Sequence, residues 1–347
     1  MNGLPLPAGK VPPTLLAELL QQTATTDPRV VVGPRVGIDA AVIDMGERLL
    51  VAKADPITFA TDAIGHYAVM VNANDIAAMG GTPRWFLATL LLPERRTTPE
   101  LVRDIFAQIQ RACEALHITL VGGHSEITVG LERPIIAGHM LGEVRREHLV
   151  TSAGVQPGDA ILLTKGYPVE GVSIIARERA PQLAARGYTA QEIRRWQAFL
   201  YTPGLSVVPE AQILQQAVEV HAMHDPTEGG LATGLWELAQ ASGVGLQIQA
   251  ETLPVLPEGA LLCQAFGLDP LGTIASGSLL AAVPAAQAEG AVQACAAAGI
   301  ACTPIGRAVA QAPGNVQYAG AFQGSFPTFA RDEILRLFAP AEPSGLL

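Results

Sequence analysis

Residues 71–81 read Val71-Asn72-Ala73-Asn74-Asp75-Ile76-Ala77-Ala78-Met79-Gly80-Gly81. The run continues an apolar stretch that begins near Ile64, and it closes on paired glycines followed by Pro83. That is a helix exit, because glycine takes the left-handed turn and proline cannot continue the ladder. The spacing predicts a helix over 64–79. Asp75 is the odd residue in it. Aspartate is a poor helix-interior residue, since its short side chain competes for backbone hydrogen bonds. Here it stands beside Ile76, Ala77, Ala78 and Met79. A solvent-facing aspartate needs no partner, whereas a buried carboxylate needs a compensating charge or donor.

Working outward, further acids fall at the ends of predicted elements. Asp39 stands in Gly37-Ile38-Asp39-Ala40-Ala41-Val42, ahead of a strand over 40–44. Asp55 closes a strand over 49–54. His124 and Glu126 follow a strand over 118–121, in Gly122-Gly123-His124-Ser125-Glu126. Singly, each has an ordinary explanation as a turn or loop residue, Asp55 especially because Pro56 follows it. Together they suggest a shared site. Carboxylates that converge repel one another by ~4 kcal/mol per pair near 4 Å at an effective dielectric of 20. A bound cation removes that cost, and Mg²⁺ typically takes one or two carboxylates plus substrate phosphates.

The second half carries His224-Asp225-Pro226-Thr227-Glu228-Gly229-Gly230-Leu231. Asp225 as a helix cap, Pro226 in the first turn and Glu228 third form an arrangement like a capping box. Gly229 and Gly230 do not fit that account, because each glycine in a helix costs ~1 kcal/mol. Glycines there allow a phosphate or ligand to approach a helix N-terminus. Gly122-Gly123 is a similar, weaker signal. Lys53 is read as a surface lysine in preference to a phosphate contact.

Strands alternate with helices in both halves, so the class is α/β or α+β. The boundary falls near 149–156, giving domains over 1–150 and 151–347. Residues 180–202, with Arg186, Arg194 and Arg195, read as an exposed excursion. The tail from Gln311 is rich in proline and glycine, with one helix expected over 328–338. No P-loop, dinucleotide-binding glycine motif, zinc-protease helix or serine nucleophile elbow occurs.

The chain has 22 basic and 32 acidic residues, a net charge of −10. A long nucleic-acid footprint needs clustered Lys and Arg and is not expected. A bound polyanion such as ATP would need a metal. Mean hydropathy is +0.30, yet the most apolar stretch, 271–309, is interrupted by Gly277, Pro284, Glu289, Gly299 and Pro304. It falls short of the ~20 unbroken residues a spanning helix needs. The N-terminus shows no charged-then-apolar signal pattern. The expectation is a cytoplasmic protein without membrane contact. Its four cysteines form no C-x-x-C pair and are expected to be reduced.

Taken in order, the Asp39 segment, the strand-end Asp55, the 71–81 run, Gly122-Gly123-His124-Ser125-Glu126 and the 224–231 stretch resemble the aminoimidazole ribonucleotide (AIR) synthase superfamily. That superfamily includes thiamine-monophosphate kinase, selenophosphate synthetase and the hydrogenase maturation factor HypE. The resemblance implies a PurM-like two-domain fold, in which the strands of an N-terminal α/β domain join a partner subunit's in a dimeric β-barrel. A C-terminal α/β domain follows, and ATP with Mg²⁺ binds between domains. Asp39, Asp55 and Asp75 match the metal-binding acids, and Asn72 a helix residue near the nucleotide. Gly122, Gly123, Asp225, Gly229 and Gly230 match the cofactor-binding segments. Glu126 and His124 are the candidates for orienting the acceptor or serving as base. The implied chemistry is attack on the γ-phosphate by an oxygen of a small molecule. The alternative is a noncatalytic nucleotide-binding maturation or assembly factor with a partner protein. Two departures narrow the subgroup. No Pro-Arg-x-Cys tail ends the sequence, as HypE would have, and no cysteine precedes Cys113, where a selenophosphate synthetase would carry its nucleophile.

Overall fold

The computed structural model describes residue 6 and residues 8–22, 25–58, 62–311 and 313–338. The absent cysteine tail and residues 339–347 therefore lie outside the described residues.

The first half contains α1 (Pro13–Gln21), β1 (Val30–Val32), β2 (Ala41–Asp44), β3 (Leu49–Ile57), α2 (Ile64–Ala78), β4 (Thr82–Pro93), α3 (Pro99–Ala115), β5 (Thr119–Thr128) and β6 (Ile135–Val144). Its strands form one sheet in the order β1-β2-β3-β6-β4-β5. Only the β4–β5 pair is parallel, with α3 as the crossover between them. Thr98 caps α3 by accepting from Leu101 N, and Pro99 and Glu100 fill the first turn as read from the sequence.

α2 is buried nearly all round, with His66 its one partly exposed residue. It has no polar face because β3, β6 and α3 cover its sides. Two polar side chains inside it act as ties. Asn72 accepts from the Asp55 backbone N–H at 3.0 Å and donates to the Asp55 carbonyl at 3.1 Å. Asn74 donates to the Leu205 carbonyl and accepts from Val207 N–H, both at 2.8 Å. One helix thus holds the strand that carries Asp55 and also grips the second half.

The second half contains β7 (Ala160–Thr164), α4 (Val169–Glu178), α5 (Ala180–Ala185), α6 (Ala190–Gln197), α7 (Val208–Ala217), β8 (Ala222–His224), α8 (Gly230–Ser242), β9 (Gly245–Gln249), α9 (Pro257–Phe266), β10 (Leu280–Val283), α10 (Ala288–Ala297), β11 (Cys302–Val309), β12 (Val316–Ala319) and β13 (Gly324–Ser325). Its sheet runs β13-β12-β9-β11-β7-β10-β8. One hydrophobic core spans both halves, including Ile76, Leu162 and Leu214, while a second lies within the C-terminal half around Leu235, Leu246 and Ile305.

Three local expectations are corrected. The strand read over 118–121 continues to Thr128, so Gly122 to Glu126 lie in β5 and not in a loop. The glycines, read as a weak sign of a phosphate-facing backbone, are paired to β4 at φ 156° and 146°, values that favour glycine, and a side chain on Gly123 would collide with the Ala88 carbonyl. The 180–202 excursion is anchored. Leu183, Ile193, Trp196, Phe199 and Leu200 are buried against α4, and the exposed arginines hid that apolar stripe. The tail helix expected over 328–338 shrinks to a 3₁₀ turn at Glu333–Leu337, and β12 and β13 were missed because they are short. The four cysteines are free and buried.

Candidate functional site

Asp39, Asp55, Asp75 and Asp225 converge from four separate segments. Asp39 lies just before β2, Asp55 in β3, Asp75 in α2 and Asp225 just after β8. Between them stands Lys53. Lys53 and Asp55 are two apart in β3 and so share a face. The Lys53 ammonium is 2.9 Å from Asp75 Oδ1 and 3.7 Å from Asp55 Oδ2. Lys53 is therefore no surface lysine. Burial opposes its charge, but Asp75 and Asp55 outweigh burial and hold its pKa above the ordinary value.

On the other side, Asp39 Oδ1 lies 2.7 Å from His224 Nδ1, and His224 Nε2 lies 3.0 Å from Glu237 Oε2 of α8. Burial disfavours the imidazolium, yet the two flanking carboxylates raise the His224 pKa well above its usual range. Glu237 is pulled down to about 2, because Lys10 at 3.4 Å and His224 overcome its own burial. With both ring nitrogens engaged, His224 serves as a charged brace.

The acids are short of partners. Asp39 Oδ2, Asp75 Oδ2 and both oxygens of Asp225 are buried with no hydrogen-bond partner among the described residues. Such atoms are expensive to leave unpaired. Burial pushes Asp75 up to about 7 despite Lys53, with Asp55 and Asp39 adding to the rise. Burial likewise raises Asp225, together with Asp75 and Asp39. Ligand atoms of Asp39, His224 and Asp225 lie within 4.8 Å of one another. Unpartnered carboxylate oxygens fit a hard divalent cation such as Mg²⁺, which favours oxygen over nitrogen.

Asp225 is not the helix cap that its spacing suggested. α8 begins at Gly230, and its N-cap residue is Gly229 at φ 83°. The glycine pair has a structural cause instead. A side chain on Gly230 would meet the Leu271 and Thr273 carbonyls, and one on Gly229 would strike Thr233. Their amides are already committed within the chain. Gly229 N–H donates to Asp332 Oδ2 at 2.6 Å, and Gly230 N–H to the Thr227 carbonyl at 3.1 Å. Asp332 also accepts from Ile274 and Ile334 N–H, so the tail straps the Asp225 loop. Asn72, likewise, commits its amide to the Asp55 backbone.

His124 and Glu126 lie elsewhere within one chain. They form a 3.5 Å pair on the exposed edge strand β5, where the glycine pair 122–123 and His124 line a separate cavity with Phe106 and Ile109. None of the four aspartates lines that cavity.

Two cavities flank the acid cluster, separated by the arm Ala8-Gly9-Lys10. One, of about 520 Å³, is lined by Lys10, Arg35, Lys53, Arg331, Gly37 and Glu237 among others. The other, of about 510 Å³, opens beside Asp55. Sequence reasoning misread Lys53 and missed Glu237 and Asp332. The spacing of Lys53 and Asp55 on a strand was a usable signal, but the other two carry none.

The N-terminal domain of AIR synthase related proteins matches residues 37–144, and their C-terminal domain residues 156–319. A carbamoyl dehydratase HypE of Rhodobacter capsulatus is 33% identical over 298 residues, 83% of each chain. A selenide, water dikinase of Dechloromonas aromatica is 32% identical over 263 residues, 74% of this chain and 71% of its own. Among solved structures, HypE in complex with ATP superimposes at a TM-score of 0.65 and 21% identity, covering 93% of this chain and 91% of that one. The HypE of a HypE–HypF complex gives 0.69 and 21%, covering 91% and 99%. Among the described residues no helix is long and apolar enough to cross a membrane.

Proposed function

The chain belongs to the AIR synthase related family, and from that membership we propose that it is a Mg²⁺- and ATP-dependent enzyme that activates an oxygen of a small molecule by phosphoryl transfer. One observation carries the reading: buried carboxylate oxygens of Asp39, Asp75 and Asp225 have no partner among the described residues, and ligand atoms of Asp39 and Asp225 lie within 4.8 Å of each other. A fold does not gather such groups for stability, because each costs about 1–3 kcal/mol unless a ligand satisfies it. Asp55 completes the set at the mouth of the cavity. Bound Mg²⁺ would neutralise charge on the β- and γ-phosphates. The cavity lined by Lys10, Arg35, Lys53 and Arg331 offers cations that a triphosphate could use, beside the carboxyls of Glu228, Glu237 and Asp332. Lys53 lies between Asp75 and Asp55 and lines this cavity, where it would contact a bound phosphate.

β5 extends the reading to a dimer. It is a ten-residue edge strand, exposed almost throughout, with Leu120, Val121 and Ile127 facing outwards. Such an edge invites pairing with a second copy. His124 and Glu126 would then stand at the seam between copies, where they can orient an acceptor in a composite site. A second reading, a nucleotide-gated maturation or assembly factor, draws support from the HypE–HypF complex of a structural relative.

Calorimetry with Mg²⁺ and ATP, followed by phosphate release with candidate acceptors, tests the proposal. Asp75→Asn is expected to keep the fold and lose at least about tenfold in Mg-ATP affinity. Unchanged affinity in that variant would remove the metal role from the cluster. Binding without turnover for any acceptor favours the assembly factor.

A further inference from the structure

The cavity beside Asp55 shares Ala8, Gly9, Lys10 and Glu228 with its neighbour, but not Arg35, Lys53 or Arg331. Three of its walls carry carboxyls: Asp55, Glu170 and Glu228. Among the described residues Lys10 is its one cation, and that ammonium already faces Glu237 at 3.4 Å. The rest of its lining combines the apolar Ile57, Val71, Ile174 and Ile274 with the hydroxyls of Thr58, Thr227 and Ser276.

Glu170 is the decisive residue. It lies in the first turn of α4 and is 4% exposed. An acid in a first turn complements the helix dipole, and a surface glutamate would need no other reason. Glu170, however, is buried at the cavity wall. Ser276 hydrogen-bonds its carboxyl, while Oε2 has no partner among the described residues. A partnerless buried oxygen, inside a cavity with an excess of negative charge, asks for a donor that brings positive charge. A carboxylate or phosphate ligand would be repelled from these walls. A neutral alcohol would satisfy Oε2 and leave the charge unbalanced.

We propose that this cavity takes a small molecule bearing a primary ammonium group, held between Glu170 and Glu228, with its carbon skeleton against Ile57, Val71, Ile174 and Ile274. Asp55 joins the cavity to the acid cluster, and Thr227 and Glu228 follow Asp225 within three residues. The amine-bearing compound is therefore the phosphoryl acceptor or its co-substrate. That last assignment rests on the ATP reading above, whereas occupancy of the cavity does not.

The test is isothermal titration of the full-length, nucleotide-free protein at about pH 9, where Glu170, raised by burial to about 8, is ionised and an alkylammonium keeps its proton. The probes are n-butylamine hydrochloride, n-butanol and sodium butyrate, with sodium chloride matching ionic strength. Butylammonium is expected to bind saturably and about tenfold or more tighter than butanol, as a charge-assisted hydrogen bond requires. Butyrate is expected not to bind. Glu170→Gln weakens butylammonium about tenfold, and Glu228→Gln weakens it to a smaller degree. Circular dichroism checks that each variant is folded, and the second variant stands in if the first is not. Absence of saturable butylammonium binding overturns the proposal. So does equal affinity for butanol, or affinity unchanged in every folded variant. A parallel titration of the wild type with Mg-ATP separates the two ideas: no ATP binding alongside intact butylammonium binding overturns the enzymatic reading alone.

Discussion

Lys53 is the residue on which the charge of the site balances. It supplies the positive charge that Asp75 and Asp55 otherwise lack. Removing one partner of a buried pair strands the other, which costs about 3–5 kcal/mol. Lys53→Met is therefore expected to lower the urea midpoint sharply in the absence of divalent ions, and millimolar Mg²⁺ should restore part of the loss. An Mg²⁺ effect no larger than in the wild type would separate Lys53 from the metal site. Glu170 makes a different prediction. Burial raises its pKa to about 8 from 4.5, so the folded chain binds the extra proton across that interval. Stability contributed by the protonated form is present below the unfolded pKa and is lost as pH rises towards about 8. Glu170→Gln cannot ionise. Its advantage over the wild type in urea midpoint should grow between about pH 5 and about pH 9, and a constant difference would show that Glu170 does not carry the slope.

At the scale of elements, β5 is the exposed surface with the strongest claim to a partner. Val121→Lys places a charge on its exposed surface, where a second copy would pair, and should shift sedimentation towards a monomer. If His124 and Glu126 act at the seam, turnover should fall with it. A dimer that survives the substitution would place the contact on another face. Much of this level was legible in the sequence. The helix over 64–79 was visible because a long apolar run closed on glycines, and Thr98-Pro99-Glu100 announced α3 by local capping chemistry. β5 was cut short because Gly122-Gly123 reads as a backbone facing a phosphate, and only its pairing with β4 shows otherwise. Asp225 resembled a cap for the same reason: proximity to a proline and an acid is local, whereas the loop that displaces it is built by Leu271, Thr273 and Asp332 from far along the chain. Lys53 was misread because its partner Asp75 is on another element. Periodicity and capping are written locally, and ion pairing across the fold is not.

At the scale of the molecule, the two halves share one core, and α2 runs through it as the common strut. Asn72 ties it to the Asp55 strand and Asn74 ties it to Leu205 and Val207. Because every side of α2 is packed, its rotation about its own axis is indexed to both neighbours at once. Insertion of a single residue would turn everything after it by about 100°, swinging Asp75 off Lys53 while breaking both asparagine clasps. The length of this helix is thus set by its packing and its two clasps, so the chemistry of the site is open to change at the walls around the acids and closed to it along this axle.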